Sequence, residues 1–267
     1  FYQAYSTRMR KMSILLEKSK KDNAASEAKK KQSEFFDSFS DHYVLETQAF
    51  WRAYYARTVQ WFREKLVPQS LILDVGCGNG LGSAPLLNGS YTVLGVDISR
   101  GMIKDALKRL DDTSSSAYFV ADAEHLPFKK GIFDAAIGFG ILHHVNEPEK
   151  VIDGISHCLK TEGYYFGHEN NKSIFRPLFD LSMKIFALWH EEAGEHQLLS
   201  RKELHSLCNR YRLALDVRTD VFLPVHFFNL LGFHLTKPLL AVSDVVCHTL
   251  PLLRHQGGTL VFRAKKY

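Results

Sequence analysis

Residues 71–80 read Leu-Ile-Leu-Asp-Val-Gly-Cys-Gly-Asn-Gly, and no other stretch of this chain narrows the possible folds as far. A short apolar run bounded by glycines predicts a buried strand that ends near Asp74 and opens into a turn. Glycines at 76, 78 and 80 permit positive φ and let a ligand approach the backbone without meeting a Cβ, which suits a nucleotide-like ligand. A dinucleotide loop needs G-x-G-x-x-G, but the three registers put Leu81, Ser83 and Pro85 where the last glycine belongs. No Gly-Lys-Ser or Gly-Lys-Thr follows, so a Walker A loop fails as well. A carboxylate at the strand tip would repel a pyrophosphate and favour a ligand end that carries an ammonium or a sulfonium.

Beyond the turn, strand and helix signals alternate, the pattern of a doubly wound parallel sheet. Strands are predicted at 71–74, 91–97, 117–121, 133–138 and 163–168, with two more near 213–221 and 259–264 to make seven. Helices fill the gaps, including 101–110 behind Ser99 as N-cap and 147–160 behind Asn146 with Pro148 in its first turn. The second strand ends in Asp97, 23 residues beyond Asp74, where an acid can accept hydrogen bonds from both hydroxyls of a ribose. Taken alone, Asp97 is equally a turn residue before a helix.

The arrangement Asp74-x-Gly76-x-Gly78-x-Gly80 resembles the first motif of class I S-adenosylmethionine-dependent methyltransferases of the small-molecule type, similar to the methyltransferase 11 domain family. The segments Phe119-Val-Ala-Asp122-Ala-Glu-His-Leu-Pro-Phe128 and Phe133-Asp-Ala-Ala-Ile-Gly-Phe-Gly-Ile-Leu-His-His-Val-Asn-Glu-Pro148 are also similar to that family. So is Leu159-Lys-Thr-Glu-Gly163-Tyr-Tyr-Phe, although its usual Pro-Gly turn is Glu-Gly here. The resemblance covers about residues 34–169 and fades after Asn170. It implies an α/β, Rossmann-like, seven-stranded fold and S-adenosylmethionine as cofactor, with S-adenosylhomocysteine as product. It further implies that Asp122 and the Ala123 backbone hold the adenine edge while Ile98 and Met102 pack on its faces. Cys77 and Phe139 join Asp74, Gly76, Gly78 and Asp97 as cofactor contacts, the exit of the fourth strand bordering the methionine part.

Methyl transfer from a sulfonium requires the acceptor to be held in line, water to be excluded and, for an alcohol or phenol, a proton to be removed. His143 and His144 follow the fourth strand, and His168 with Glu169 ends the fifth, so all four are expected at one sheet edge. Histidine accepts a proton near neutral pH, and between the pair His144 is preferred, with His143 and Glu169 as further candidates. A His-His pair opening a helix could equally cap backbone groups or touch cofactor. No histidine or carboxylate recurs at a recognised metal-ligand spacing, so no metal is expected.

The domain expected is a single one over 34–267, preceded by a basic lead at 1–33. That domain divides into a helical cap at 34–66, a cofactor core at 67–169 and apolar helical additions at 173–199 and 222–255, which are predicted to form a lid over the substrate. The cap carries Phe35, Phe36, Phe39, Tyr43, Phe50, Trp51, Tyr54, Tyr55, Val59 and Phe62 at roughly helical spacing. Neither addition reaches about 18 uninterrupted apolar residues, so a membrane span is not expected.

The formal net charge of +5 is concentrated in the lead: residues 8–31 hold nine basic residues against three acidic ones, and the rest of the chain nearly cancels. The lead's low hydrophobicity predicts weak order, and the core shows no footprint for nucleic acid. Four separated cysteines fit a reducing cytoplasm, and nothing at the amino end reads as a secretion signal, though a chain starting at Phe1 need not show its true start. The reading is a methyltransferase acting on a small, apolar acceptor such as a lipid, isoprenoid or polyketide-like compound, with peripheral membrane contact open. The alternatives are an RNA or protein methyltransferase recruited by the basic lead, and a non-catalytic module that keeps the cofactor fold for interaction.

Overall fold

A computed structural model of the chain describes residues 27–39, 45–87, 90–111, 114–186, 198–223 and 233–267. Seven strands form one sheet: β1 (Leu71–Val75), β2 (Thr92–Asp97), β3 (Ala117–Val120), β4 (Phe133–Phe139), β5 (Leu159–Asn170), β6 (Leu213–Asp220) and β7 (Thr259–Lys266). Their order is β3-β2-β1-β4-β5-β7-β6. β7 runs antiparallel to both β5 and β6, whereas β1 to β5 pair in parallel. The chain winds outward from β1 in one direction through β2 and β3, and in the other through β4 and β5. The crevice between β1 and β4 at the carboxyl edge is therefore the switch point where such sheets bind ligands.

Alternation along β1 explains the two-sided burial. Leu73 and Val75 pack with Val151, Ile152 and Ile155 of α4 (Pro148–Cys158) and with Leu204 and Leu207 of α6 (Arg201–Arg210). Ile72 points the other way, toward Phe50, Tyr54, Val59 and Phe62 of α2 (Leu45–Arg63). Much of the aromatic stripe before the first strand is thus core. Phe62 is wholly buried and stacks on Phe166 at 4.8 Å, so truncation to alanine should cost about 3–5 kcal/mol.

Local chemistry sets the helix starts. Ser99 caps α3 (Arg100–Leu107) by accepting from the Met102 N–H, and α6 opens with a full capping box between Ser200 and Glu203. The expected cap at Asn146 is corrected: Glu147 occupies the N-cap position without a side-chain cap, and its N–H donates to Glu124 Oε1 at 2.8 Å. Proline at the first helical position needs no donor satisfied, which removes the demand for Asn146. Among the described residues between β1 and β2, the chain makes a 3₁₀ turn at Ala84–Leu86.

The boundary expected at residue 33 is also corrected, because helix α1 (Glu27–Phe39) runs straight through it. Residues 1–26 of the lead lie outside the described residues, as do 187–197 and 224–232 of the two additions. The described parts of those additions contain α5 (Arg176–Phe186) and α7 (Phe233–Thr249).

Candidate active site

The glycine turn after β1 adopts the backbone its sequence requires. Gly76 and Gly80 have φ of +67° and +76°, and a Cβ on Gly76 would lie 2.5 Å from Ile141 Cδ1. Gly78, with φ of +51°, has open space where its Cβ would be, so the turn leaves a recess beside β1. The Gly78 N–H donates to Asp97 Oδ2 at 2.8 Å and the Ser99 N–H to Oδ1 at 2.9 Å, which aims the carboxylate.

Asp74 is 1% exposed and lines the cavity, and its Oδ2 has no hydrogen-bond partner among the described residues. Burial, opposed by a bond from Ser83 and assisted by the negative charge of Asp97, pushes its carboxyl up to about 7. A buried carboxylate oxygen left open to a cavity is a fitting receptor for the cationic end of an aminoacyl sulfonium. The recess at Gly78 and the aimed Asp97 complete a cradle that fits S-adenosylmethionine.

At the end of β3, Asp122 caps the 3₁₀ turn Ala123–His125 through Oδ1, which accepts from the Glu124 N–H at 2.9 Å. Its Oδ2 receives Lys29 Nζ at 2.5 Å and His125 Nδ1 at 3.0 Å, and Lys29 also pairs with Glu124. Burial alone would raise the Asp122 carboxyl, yet the bonds from Lys29 and His125 outweigh it and hold the group below its usual range. Asp122, Glu124 and His125 are close enough to share a cation, and the Lys29 ammonium already sits against both carboxylates. Helix α1, which carries Lys29, is moored across the neighbouring loop. Ser33 Oγ donates to the Ile98 carbonyl at 3.3 Å, and Asp37 Oδ1 accepts from Ser99 Oγ at 2.5 Å and from the Gly101 N–H at 2.8 Å.

All ten residues expected to meet cofactor line one cavity at the carboxyl edge: the Asp74–Gly78 turn residues, Asp97, Ile98, Met102, the Asp122–Ala123 pair and Phe139. Lys29, Phe36 and Tyr55 line it from the amino-terminal helices, and these three were not identified individually from sequence. Among the described residues, none from 173–199 or 222–255 lines it.

The histidines gather at the carboxyl ends of β4 and β5. His143 is buried and its Nδ1 lies 2.8 Å from Glu169 Oε2, whose other oxygen accepts the Leu142 N–H at 2.8 Å. A carboxylate only accepts, so Nδ1 carries the proton and Nε2 is left as the acceptor, 3.2 Å from the Asn170 side-chain amide. His144 also lines the cavity and meets Phe36 edge-on at 5.4 Å. His168 sits against Tyr54, Tyr55 and Phe139 with ring centroids 5.6–5.8 Å apart. Burial, then the nearby His143, pushes its pKa down to about 3, so it is neutral at physiological pH.

The family described as "Methyltransferase domain" matches residues 73–167, a span that runs from within β1 to within β5 and includes every expected cofactor contact. A tRNA (carboxymethyluridine(34)-5-O)-methyltransferase of Arabidopsis thaliana is 31% identical, over 58% of this chain and 37% of its own. A demethylmenaquinone methyltransferase of Renibacterium salmoninarum is 35% identical, over 42% of this chain and 46% of its own. The chain thus spans less than half the length of these two curated relatives. Among solved structures, a Thermotoga maritima methyltransferase described as a possible histamine N-methyltransferase superposes with a TM-score of 0.62 at 18% identity, covering 88% of this chain and all of the other. The fold is shared, and the matching segment carries the acid-glycine turn on which the cavity is built. Residues 73–167 match the methyltransferase domain family, in a fold shared with solved S-adenosylmethionine-dependent methyltransferases.

Proposed function

We propose that this protein transfers the methyl group of S-adenosylmethionine to an oxygen or an acidic carbon of a small, apolar acceptor. The observation that carries the reading is the His143–Glu169 pair, whose histidine lines the same cavity as the three acids and the aromatic Tyr55 and Phe139. Bound there, the cofactor would supply an electrophilic methyl on sulfur. Asp74 would receive its ammonium-bearing end and Asp97 its ribose hydroxyls, while Asp122 with Ala123 would receive the adenine edge once Lys29 has withdrawn. Tyr55, Phe139 and neutral His168 give an acceptor a largely apolar wall and exclude water from it. His143 Nε2 takes the acceptor's proton, and Glu169 stabilises the imidazolium that forms. The geometry favours His143 as the base, because its Nδ1 is held by the Glu169 carboxylate.

The demethylmenaquinone methyltransferase among the relatives supports an apolar acceptor. A second reading, methylation of RNA, draws on the tRNA methyltransferase relative and on the basic stretch at 8–31. Incubating the full chain with methyl-labelled cofactor, a panel of hydroxylated quinones and prenylated phenols, and total tRNA separates the two. Label extracted into organic solvent and dependent on His143 is expected; label found only in RNA would replace the small-acceptor reading.

A further inference from the structure

Helix α7 (Phe233–Thr249) displays an apolar face to the outside. At about 100° per residue, Pro238, Leu239, Ala241, Val242, Val245 and Val246 share an arc of roughly 160°. That arc faces away from the protein: Leu239, Val242, Val245 and Val246 are between 49% and 65% exposed. Leu250 and Leu252 continue the exposed apolar surface beyond the helix end. In an ordinary surface helix the apolar stripe faces the core and the charges face water.

Among its described side chains, two polar groups on the inward side hold the helix to the fold. Asp244 is buried and accepts from Arg57 of α2 at 3.2 Å, and one turn further His248 Nε2 donates to the Thr219 carbonyl at 2.7 Å. These anchors fix which side of the helix meets the fold, and the apolar arc is left exposed.

The charge pattern says what. Between 233 and 254 the charged residues are Lys237, Asp244 and Arg254. The one acid is turned inward onto Arg57, and the exposed charges that flank the apolar surface along the chain, Lys237 before it and Arg254 after it, are both basic. A second copy of the chain docked on this face about a two-fold axis would bring those bases together in a like-charged pair. An anionic bilayer complements both features, taking the apolar arc at the acyl boundary and the bases among its phosphates. None of the helices among the described residues is long and apolar enough to cross a membrane, so the fitting geometry is a helix lying in the interface.

We propose that α7 and the turn after it form a peripheral docking surface for an anionic lipid bilayer. The inference does not depend on which acceptor the enzyme uses. Through Asp244 and Arg57 the docked helix is tied to α2, whose Tyr55 lines the active-site cavity, so docking would hold that cavity near the interface.

The test is flotation of the full chain with vesicles of phosphatidylcholine alone and of phosphatidylcholine mixed with phosphatidylglycerol, for the native sequence and for V242D/V245D. Both substitutions point away from the fold, and far-UV circular dichroism with a thermal melt checks that the variant is folded. V242S/V245S serves if it is not. Expected is flotation with the phosphatidylglycerol vesicles, weakened by salt, and at least about tenfold poorer partitioning of the variant. A native chain that stays behind with anionic vesicles at low salt overturns the proposal. So does a variant that floats as well as the native chain, which would put the contact elsewhere. A native dimer that the substitutions dissociate, without any vesicle binding, would assign the face to a second copy instead.

Discussion

The two ends of this molecule solve opposite problems. At the tips of β1 to β3, acids that meet the cavity are steadied by groups a few residues away or on the adjoining turn: Asp97 by Gly78 and Ser99, and Asp122 by the Glu124 N–H. In helix α7 a polar group is an anchor and a face of apolar ones is displayed, as Asp244 and the exposed Val242, Val245 and Val246 show. A site for a fixed, polar donor can be written into local turn geometry. Recognition of the acceptor and of surroundings depends on contacts between distant segments, so it is free to differ from one relative to another.

The sharpest way to break this comparison is to remove the base that joins the two halves. His143→Ala should lower kcat by about 10²–10⁴-fold while leaving cofactor affinity within a few-fold, read by labelled-methyl transfer beside an equilibrium binding measurement. His144→Ala should lose far less. Equal losses from the two would deny Glu169 any part in selecting between them.

Protonation of Asp74 gives the next largest effect. Its carboxyl sits near 7 in the folded chain, well above the ordinary 3.8, so the fold holds that proton more tightly than the unfolded chain does. The contribution of this group to stability is therefore present at low pH and is lost as pH rises from about 4 through 7. A cationic ligand prefers the ionised form, so affinity for S-adenosylmethionine should rise about tenfold per pH unit between 5.5 and 7 and level off above. Asp74→Asn should flatten that profile, and a slope that survives the substitution would place the titrating group elsewhere.

Lys29 sharpens the comparison from the other side, because it brings a distant segment onto the donor site. Its ammonium competes with the adenine amino group for Asp122, so Lys29→Met should tighten cofactor binding about threefold. It should also expose the α1 segment to trypsin more readily in the ligand-free protein. Weaker binding would mean that Lys29 itself contacts the cofactor.

How much of this was legible in sequence follows the same division. The seven strands, the Ser99 cap and the ten cavity residues could be read because apolar runs, glycine turns and capping residues act over a few positions. Lys29 was not recognised, since three consecutive lysines read as a solvated face and its partner Asp122 is 93 positions away. Asp37 escaped for the same reason, 62 positions from Ser99. The preference for His144 had no physical anchor. Only the parallel register of β4 on β5, with Phe139 opposite His168, brings the following loop to Glu169, and a sequence does not display register.

The central claim is that one cavity at the β1–β4 switch point holds the cofactor through acids at successive strand tips. Calorimetric titration of S-adenosylhomocysteine into the native chain and into Asp97→Ala tests it most directly. One-to-one binding in the micromolar range is expected for the native protein, about 30-fold weaker in the variant, as the loss of hydrogen bonds to a charged group implies. No binding to folded native protein, or the same affinity in both, would contradict it.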